Sequence, residues 1–179
     1  MKSTLNYLKM KKQVQQICTA LNDKNIRYII AGGLAVVAHG YLRLTMDVDL
    51  IIDMERENLL RALIALEKIG YQPRLSVIKE QFADQQIREK WINEKNMMMF
   101  PLWNPSDKQG IVIDIFVKCP FVFADEYSKV KWMGIEGVQV PFVSVECLLK
   151  MKAEAARPKD LVDIEYLSLI HISEPTRPY

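Results

Sequence analysis

Two aspartates one residue apart, Asp47 and Asp49, stand in the otherwise apolar run Asp47-Val48-Asp49-Leu50-Ile51-Ile52. In an extended strand, positions i and i+2 share a face, with Cα atoms roughly 6.5 Å apart. Val48, Leu50 and Ile52 supply the opposite, buried face. Two carboxylates aimed the same way repel each other and lose hydration at a cost. A divalent cation removes that conflict, and a pair of Mg²⁺ ions about 3.5–4 Å apart serves displacement at phosphorus. Aspartates turned to water on a half-exposed strand are the bland alternative, which the poor strand propensity of Asp weakens.

A third carboxylate, Asp114, interrupts the apolar stretch Ile111-Val112-Ile113-Asp114-Ile115-Phe116-Val117. A lone buried aspartate is expensive unless it is paired or metal-bound, so a salt bridge to a lysine or arginine is the competing reading. Upstream, Gly32-Gly33 ends an apolar run and precedes a short helical stretch. Two glycines there leave backbone N–H groups free and let phosphate oxygens approach without a Cβ in the way. Alone the pair signals only a tight turn; its place before Asp47 and Asp49 gives it weight.

These residues need elements to position them. Periodicity predicts an amphipathic helix over 4–21, a strand over 26–31, and a short helix over 34–39 closed by Gly40. A strand over 47–54 follows, then a helix over 55–69 with Leu59, Leu60, Leu63, Ile64 and Leu66 inward. A polar surface helix is expected over 80–93. Strands 97–103 and 111–117 flank the turn residues 104–110 as a hairpin, and 129–133 with 138–142 form a second ribbon. Ser144 caps a helix over 145–156, Arg157 before Pro158 ends it, and a last helix spans about 158–168. The stretch 169–179 loses periodicity, reads as a frayed or non-native tail resembling translated adapter sequence, and is set aside. The expectation is one α/β (α+β) domain over 1–168, a mixed sheet flanked by helices with further helices at its C-terminal end.

Half of the 179 residues are hydrophobic, enough to bury a core without disulfide or metal staples. A net charge of +2 neither demands nor excludes a nucleic-acid partner. Three cysteines, Cys18, Cys119 and Cys147, and two histidines at wide spacing make neither a disulfide framework nor a zinc signature. No apolar run approaches a membrane span and no signal-peptide core is present, so a reduced, cytoplasmic protein without a membrane partner is expected.

The pattern of apolar-Gly-Gly, thirteen residues, Asp-apolar-Asp and a later apolar-Asp-apolar strand resembles the DNA polymerase beta-like nucleotidyltransferase superfamily. Gly32-Gly33-x-Ala35 through His39-Gly40, Arg43-x-Thr45-x-Asp47-x-Asp49, Lys152, and Arg157-Pro158-Lys159-Asp160-x-x-Asp163 look like the AbiEii-type nucleotidyltransferases, which include toxins of bacterial toxin–antitoxin and phage-defence systems. The resemblance covers about residues 24–167, and 71–110 carries no motif belonging to it.

The resemblance implies a metal-dependent transfer of a nucleoside monophosphate from an NTP to a hydroxyl, with release of pyrophosphate. Asp47 and Asp49 would ligate both ions (Mg²⁺, or Mn²⁺), and Asp114 the ion nearer the acceptor, where it helps deprotonate the attacking hydroxyl. Gly32, Gly33 and the Thr45 hydroxyl would contact the triphosphate. Arg43 either neutralises it or is an ordinary surface arginine. Lys152 follows Leu148 and Leu149 on the inward stripe of its helix, so it either snorkels or reaches a polar cleft as a point charge on triphosphate; the cleft is the reading adopted. Arg157, Lys159, Asp160 and Asp163 orient the base or close the site, or Asp160 simply favours a helix dipole. The acceptor is RNA, at the 3′ end of tRNA, or a protein. The alternatives are an antibiotic nucleotidyltransferase with a small acceptor and a non-catalytic nucleotide- or RNA-binding module. A cognate antitoxin follows only from family analogy.

Overall fold

Seven strands form the centre of the computed structural model, which describes residues 2–43, 45–107 and 110–173. They are β1 Tyr28–Ile30, β2 Asp47–Ile52, β3 Gln72–Pro73, β4 Met99–Trp103, β5 Val112–Phe116, β6 Lys131–Ile135 and β7 Val138–Phe142. In space the order is β3-β4-β5-β2-β1-β7-β6. The pairs β2–β5 and β1–β7 are parallel and the rest antiparallel, so the sheet is mixed as expected. Tyr28, Ile29 and Ile30 of β1 are all buried, as a continuous apolar run requires of a central strand covered on both faces. Strands β4 and β5 form the predicted antiparallel hairpin, and β6 and β7 the second ribbon. Lys108 and Gln109 of the predicted turn, and residues 174–179, lie outside the described residues.

Helix α1 (Lys2–Asn22) buries Val14, Ile17, Cys18 and Leu21 and packs on α3 (Arg56–Lys68), β6 and β7. The Glu55 carboxylate caps α3 by accepting from the N–H groups of Glu57 and Asn58. Ile64, expected inward on α3, is 39% exposed, because it lies outside the buried stripe of Leu59, Ala62, Leu63, Ala65 and Leu66. The single surface helix expected over 80–93 is two, α4 (Lys79–Ala83) and α5 (Gln85–Lys95). The break falls at Asp84, whose extended backbone lets its carboxylate accept from Ile87 N–H and start α5. Nor is this segment merely superficial: Phe82 and Trp91 are buried and stack on Phe100 of β4.

Short elements that carry no period, β3 and α6 (Phe123–Tyr127), were not expected from the sequence. Helix α7 (Val145–Ala155) begins at the predicted Ser144 cap, whose Oγ accepts from Cys147 N–H at 3.3 Å. Helix α8 starts at Pro158 and continues past residue 168 to Ser173, packing on α7 and stacking Tyr166 on Tyr41 at 4.1 Å. Among the described residues no helix is long and apolar enough to cross a membrane.

Candidate active site

The parallel register of β2 and β5 sets Asp47 beside Val112 and Asp49 directly beside Asp114. Residues so paired point to the same face, and carboxylate oxygens of Asp47, Asp49 and Asp114 all lie within 4.8 Å of one another. Behind them Val48, Leu50, Ile113 and Ile115 are fully buried, which anchors the strand pair and fixes the face that the acids take. Burial pushes Asp49 up to about 6, and the neighbouring charges of Asp47 and Asp114 add to that; Arg157 and Lys159 oppose it. Asp114 is raised too, by burial and then by Asp47, against the pull of Arg74. Three hard oxygen donors that destabilise one another in this way suit a small divalent cation, whose charge removes the repulsion.

The Gly-Gly turn is built against these acids. Gly32 opens the short helix α2 (Gly32–Ala38) at φ +63°, and a Cβ on it would run into the Asp49 carboxylate. Backbone and acid therefore share one small space, which only glycine permits. A Cβ on Gly33 would meet Thr45 Oγ1 and the Arg43 guanidinium, so Gly33, Arg43 and Thr45 converge as the sequence suggested. Thr45 is buried and its hydroxyl donates to Asp47 Oδ1 at 2.8 Å, orienting that carboxylate.

Lys152 faces inward on α7, as periodicity required, and its ammonium lies 3.1 Å from Asp160 and 2.6 Å from Asp163. Asp163 also takes Arg43 Nε at 3.1 Å, and Asp160 takes Arg157 Nε at 2.6 Å. Arg43 is therefore no stray surface charge. Together these groups tie the loop before β2 to α7 and α8. Lys152→Ala would leave Asp160 and Asp163 with one arginine each, and we expect a loss on the order of 2 kcal/mol in chemical denaturation. Lys150→Ala, on the solvent side of the same helix, is expected to change stability by less than about 0.5 kcal/mol.

Burial alone would raise Asp160, but hydrogen bonds from Arg157 and Lys152 outweigh it and hold the carboxyl down to about 2. A depressed native pKa contributes stability that is fully present above the ordinary 3.8 and lost as pH falls through about 2. The contribution is on the order of 2 kcal/mol. Melting curves from pH 5 downward should show this acid loss in the wild type, and a shallower acid limb in Asp160→Asn.

One site neighbour, Arg74, escaped sequence reasoning, as did the action of another, Lys159. Arg74 acts on Asp114 across the β3–β4–β5 edge, from a segment without a motif. Lys159 was noted in its motif, but its action on Asp49 appears only once α8 is docked.

Several solved structures share this architecture. A lincosamide antibiotic adenylyltransferase bound to lincomycin superposes with TM-score 0.59 at 18% identity, covering 89% of this chain and 96% of its own. The antibiotic-resistance factor ANT(2'')-Ia gives 0.58 at 18% identity over 98% of this chain and 86% of its own. An antigenic nucleotidyltransferase-like protein from Paracoccidioides brasiliensis gives 0.56 at 20% identity, over 89% and 75%. At such identities the likeness concerns the fold. Comparison with curated proteins gives no match. A family model described as "Nucleotidyl transferase AbiEii toxin, Type IV TA system" matches residues 18–177, a span that includes the glycine turn, the three acids and the α7–α8 ion pairs. With nearly all of its length inside that match, the chain belongs to the AbiEii nucleotidyltransferase family.

Proposed function

We propose that this chain transfers a nucleoside monophosphate from an NTP to the 3′-hydroxyl of an RNA, with tRNA as the first substrate to test. The observation that carries the reaction class is the convergence of Asp47, Asp49 and Asp114 against the Gly32 backbone. The family's description as a toxin supports a macromolecular acceptor, and its place in a toxin–antitoxin system supports a cognate antitoxin as partner.

Asp47 and Asp49 would hold two Mg²⁺ ions and Asp114 the one nearer the acceptor; when bound, these supply charge to the α-phosphate and make the acceptor hydroxyl more acidic. The acceptor oxygen attacks the α-phosphorus in line, the bond to the pyrophosphate oxygen breaks, and Asp114 helps take the hydroxyl proton. Gly32 and Gly33 let the triphosphate approach the acids of β2. Arg157 and Lys159, whose charges reach Asp49, receive the negative charge that leaves with pyrophosphate. Arg43 and Lys152 serve the nucleotide site through their ion pairs with Asp163 and Asp160, which hold the start of α8 in place.

Purified protein with Mg²⁺ and each α-labelled NTP in turn should label a fraction of total bacterial RNA, and the labelling should fall steeply with added salt. The same assay with aminoglycosides and lincosamides decides between macromolecular and small acceptors. Label on one of those compounds, with none on RNA or protein, would overturn the RNA reading.

A further inference from the structure

Beyond Asp114 the site-bearing face of the sheet continues across β4 to the β3 edge. Pro101 pairs with Asp114, so the alternation of β4 puts Met99, Pro101 and Trp103 on the same face as the three acids. These three are half-buried, whereas Phe100 and Leu102 on the opposite face are sealed in the core. Arg74, just past β3, is exposed and donates its backbone N–H to the Pro101 carbonyl at 3.1 Å. Its guanidinium lies over the Trp103 ring, 5.8 Å from the centroid. Among the described residues no carboxylate forms an ion pair with Arg74.

An indole and a guanidinium layered at an open sheet edge offer two things at once, a π-face and a positive charge held in no ion pair. A nucleobase with its phosphate uses both. A polycationic aminoglycoside would be repelled by the arginine and has no aromatic ring to stack. The layer stands on the Asp114 flank of the triad, whereas Arg157 and Lys159 act on Asp49. We propose that Trp103 and Arg74 form the acceptor shelf, on which the terminal nucleotide of a single-stranded RNA stacks its base while Arg74 holds a flanking phosphate. The assignment rests on the reading of Asp114 as the acceptor-side acid.

The test uses the full chain and a short, fluorescently labelled single-stranded RNA with a free 3′-hydroxyl, titrated without NTP. Trp103→Ala should weaken binding about tenfold, and Trp103→Phe, which keeps a stacking ring, should recover most of the loss. Arg74→Ala should lower the slope of log affinity against log salt by ~0.7, the value for one phosphate contact on a single strand. Trp132→Ala, on β6 at the far edge of the sheet, should leave RNA affinity unchanged. A folded Trp103→Ala that binds the RNA as the wild type does would overturn the shelf, even with RNA labelling intact. So would an equal loss of RNA and NTP affinity, since that marks a collapsed site. Conversely, a wild type that labels no RNA, yet loses oligonucleotide affinity on Trp103→Ala, keeps the shelf as a nucleic-acid surface and removes RNA as the acceptor.

Discussion

Asp49→Asn is expected to lower nucleotidyl transfer by roughly 10³-fold or more, the upper end of what deleting one preorganised electrostatic group costs. The metal-free variant should nonetheless melt no lower than the wild type near neutral pH. Burial and two neighbouring acids raise Asp49 from 3.8 to about 6. A raised native pKa contributes stability that is present below 3.8 and lost as pH rises through about 6. Above that range the ionised wild type carries a burden on the order of 3 kcal/mol that asparagine does not. Metal-free melting curves between pH 4 and pH 8 should therefore diverge, with the variant gaining on the wild type as pH rises. Calorimetry supplies the opposing check: Mg²⁺-dependent NTP binding that survives unchanged in Asp49→Asn would remove this acid from the metal site.

Gly32→Ala should be nearly as damaging to activity, by a different route. At φ +63° an alanine costs about 1 kcal/mol in backbone strain, and its methyl group occupies the space of the Asp49 carboxylate. The acid must turn away, and with it goes the alignment that the reaction needs; a loss of at least ~10²-fold is expected. Gly137→Ala is the matched control. Gly137 has φ +82°, and a methyl group added there would meet nothing within 4 Å, so its alanine variant bears a similar strain without touching the acids. Gly137→Ala should lose only the strain in denaturant and keep its activity, whereas Gly32→Ala should lose more stability, through the added overlap, and its activity. Comparable turnover in the two would show that the close approach of Gly32 to Asp49 is irrelevant to catalysis.

The parts of this molecule that could be read from its sequence are those whose signal is local. Asp47, Asp49 and Asp114 announced themselves as charges in apolar strands, and strand alternation was enough to place the first two on one face. Ser144 and Pro158 marked their helix starts because capping chemistry involves only a few neighbouring residues. What stayed hidden depends on partners distant in the chain. The helical period turned Lys152 inward, yet could not say that Asp160 and Asp163 would meet it there, since that follows from the packing of α7 on α8. The Asp84 break was masked by a polar stretch in which helix and turn residues are hard to separate. Strand β3 is two residues long and borrows its geometry from β4, so Arg74 had no visible relation to Trp103. Ile64 misled in the other direction: an apolar residue at a helical spacing need not lie within the buried stripe.

The pairing of β2 with β5 has an evolutionary consequence. Asp49 and Asp114 stand side by side through strand register, while α3, β3, α4, α5 and β4 all lie in the stretch of chain between them. The distance between the acids is thus insulated from the length and content of that excursion. Doubling a flexible loop within it costs only about 0.6 kcal/mol in closure entropy. Descendants of such a scaffold can exchange, lengthen or recolour the excursion while inheriting the phosphoryl chemistry intact. Diversification of acceptors should then leave its record in residues 71–110, with drift slow on the two strands and fast between them.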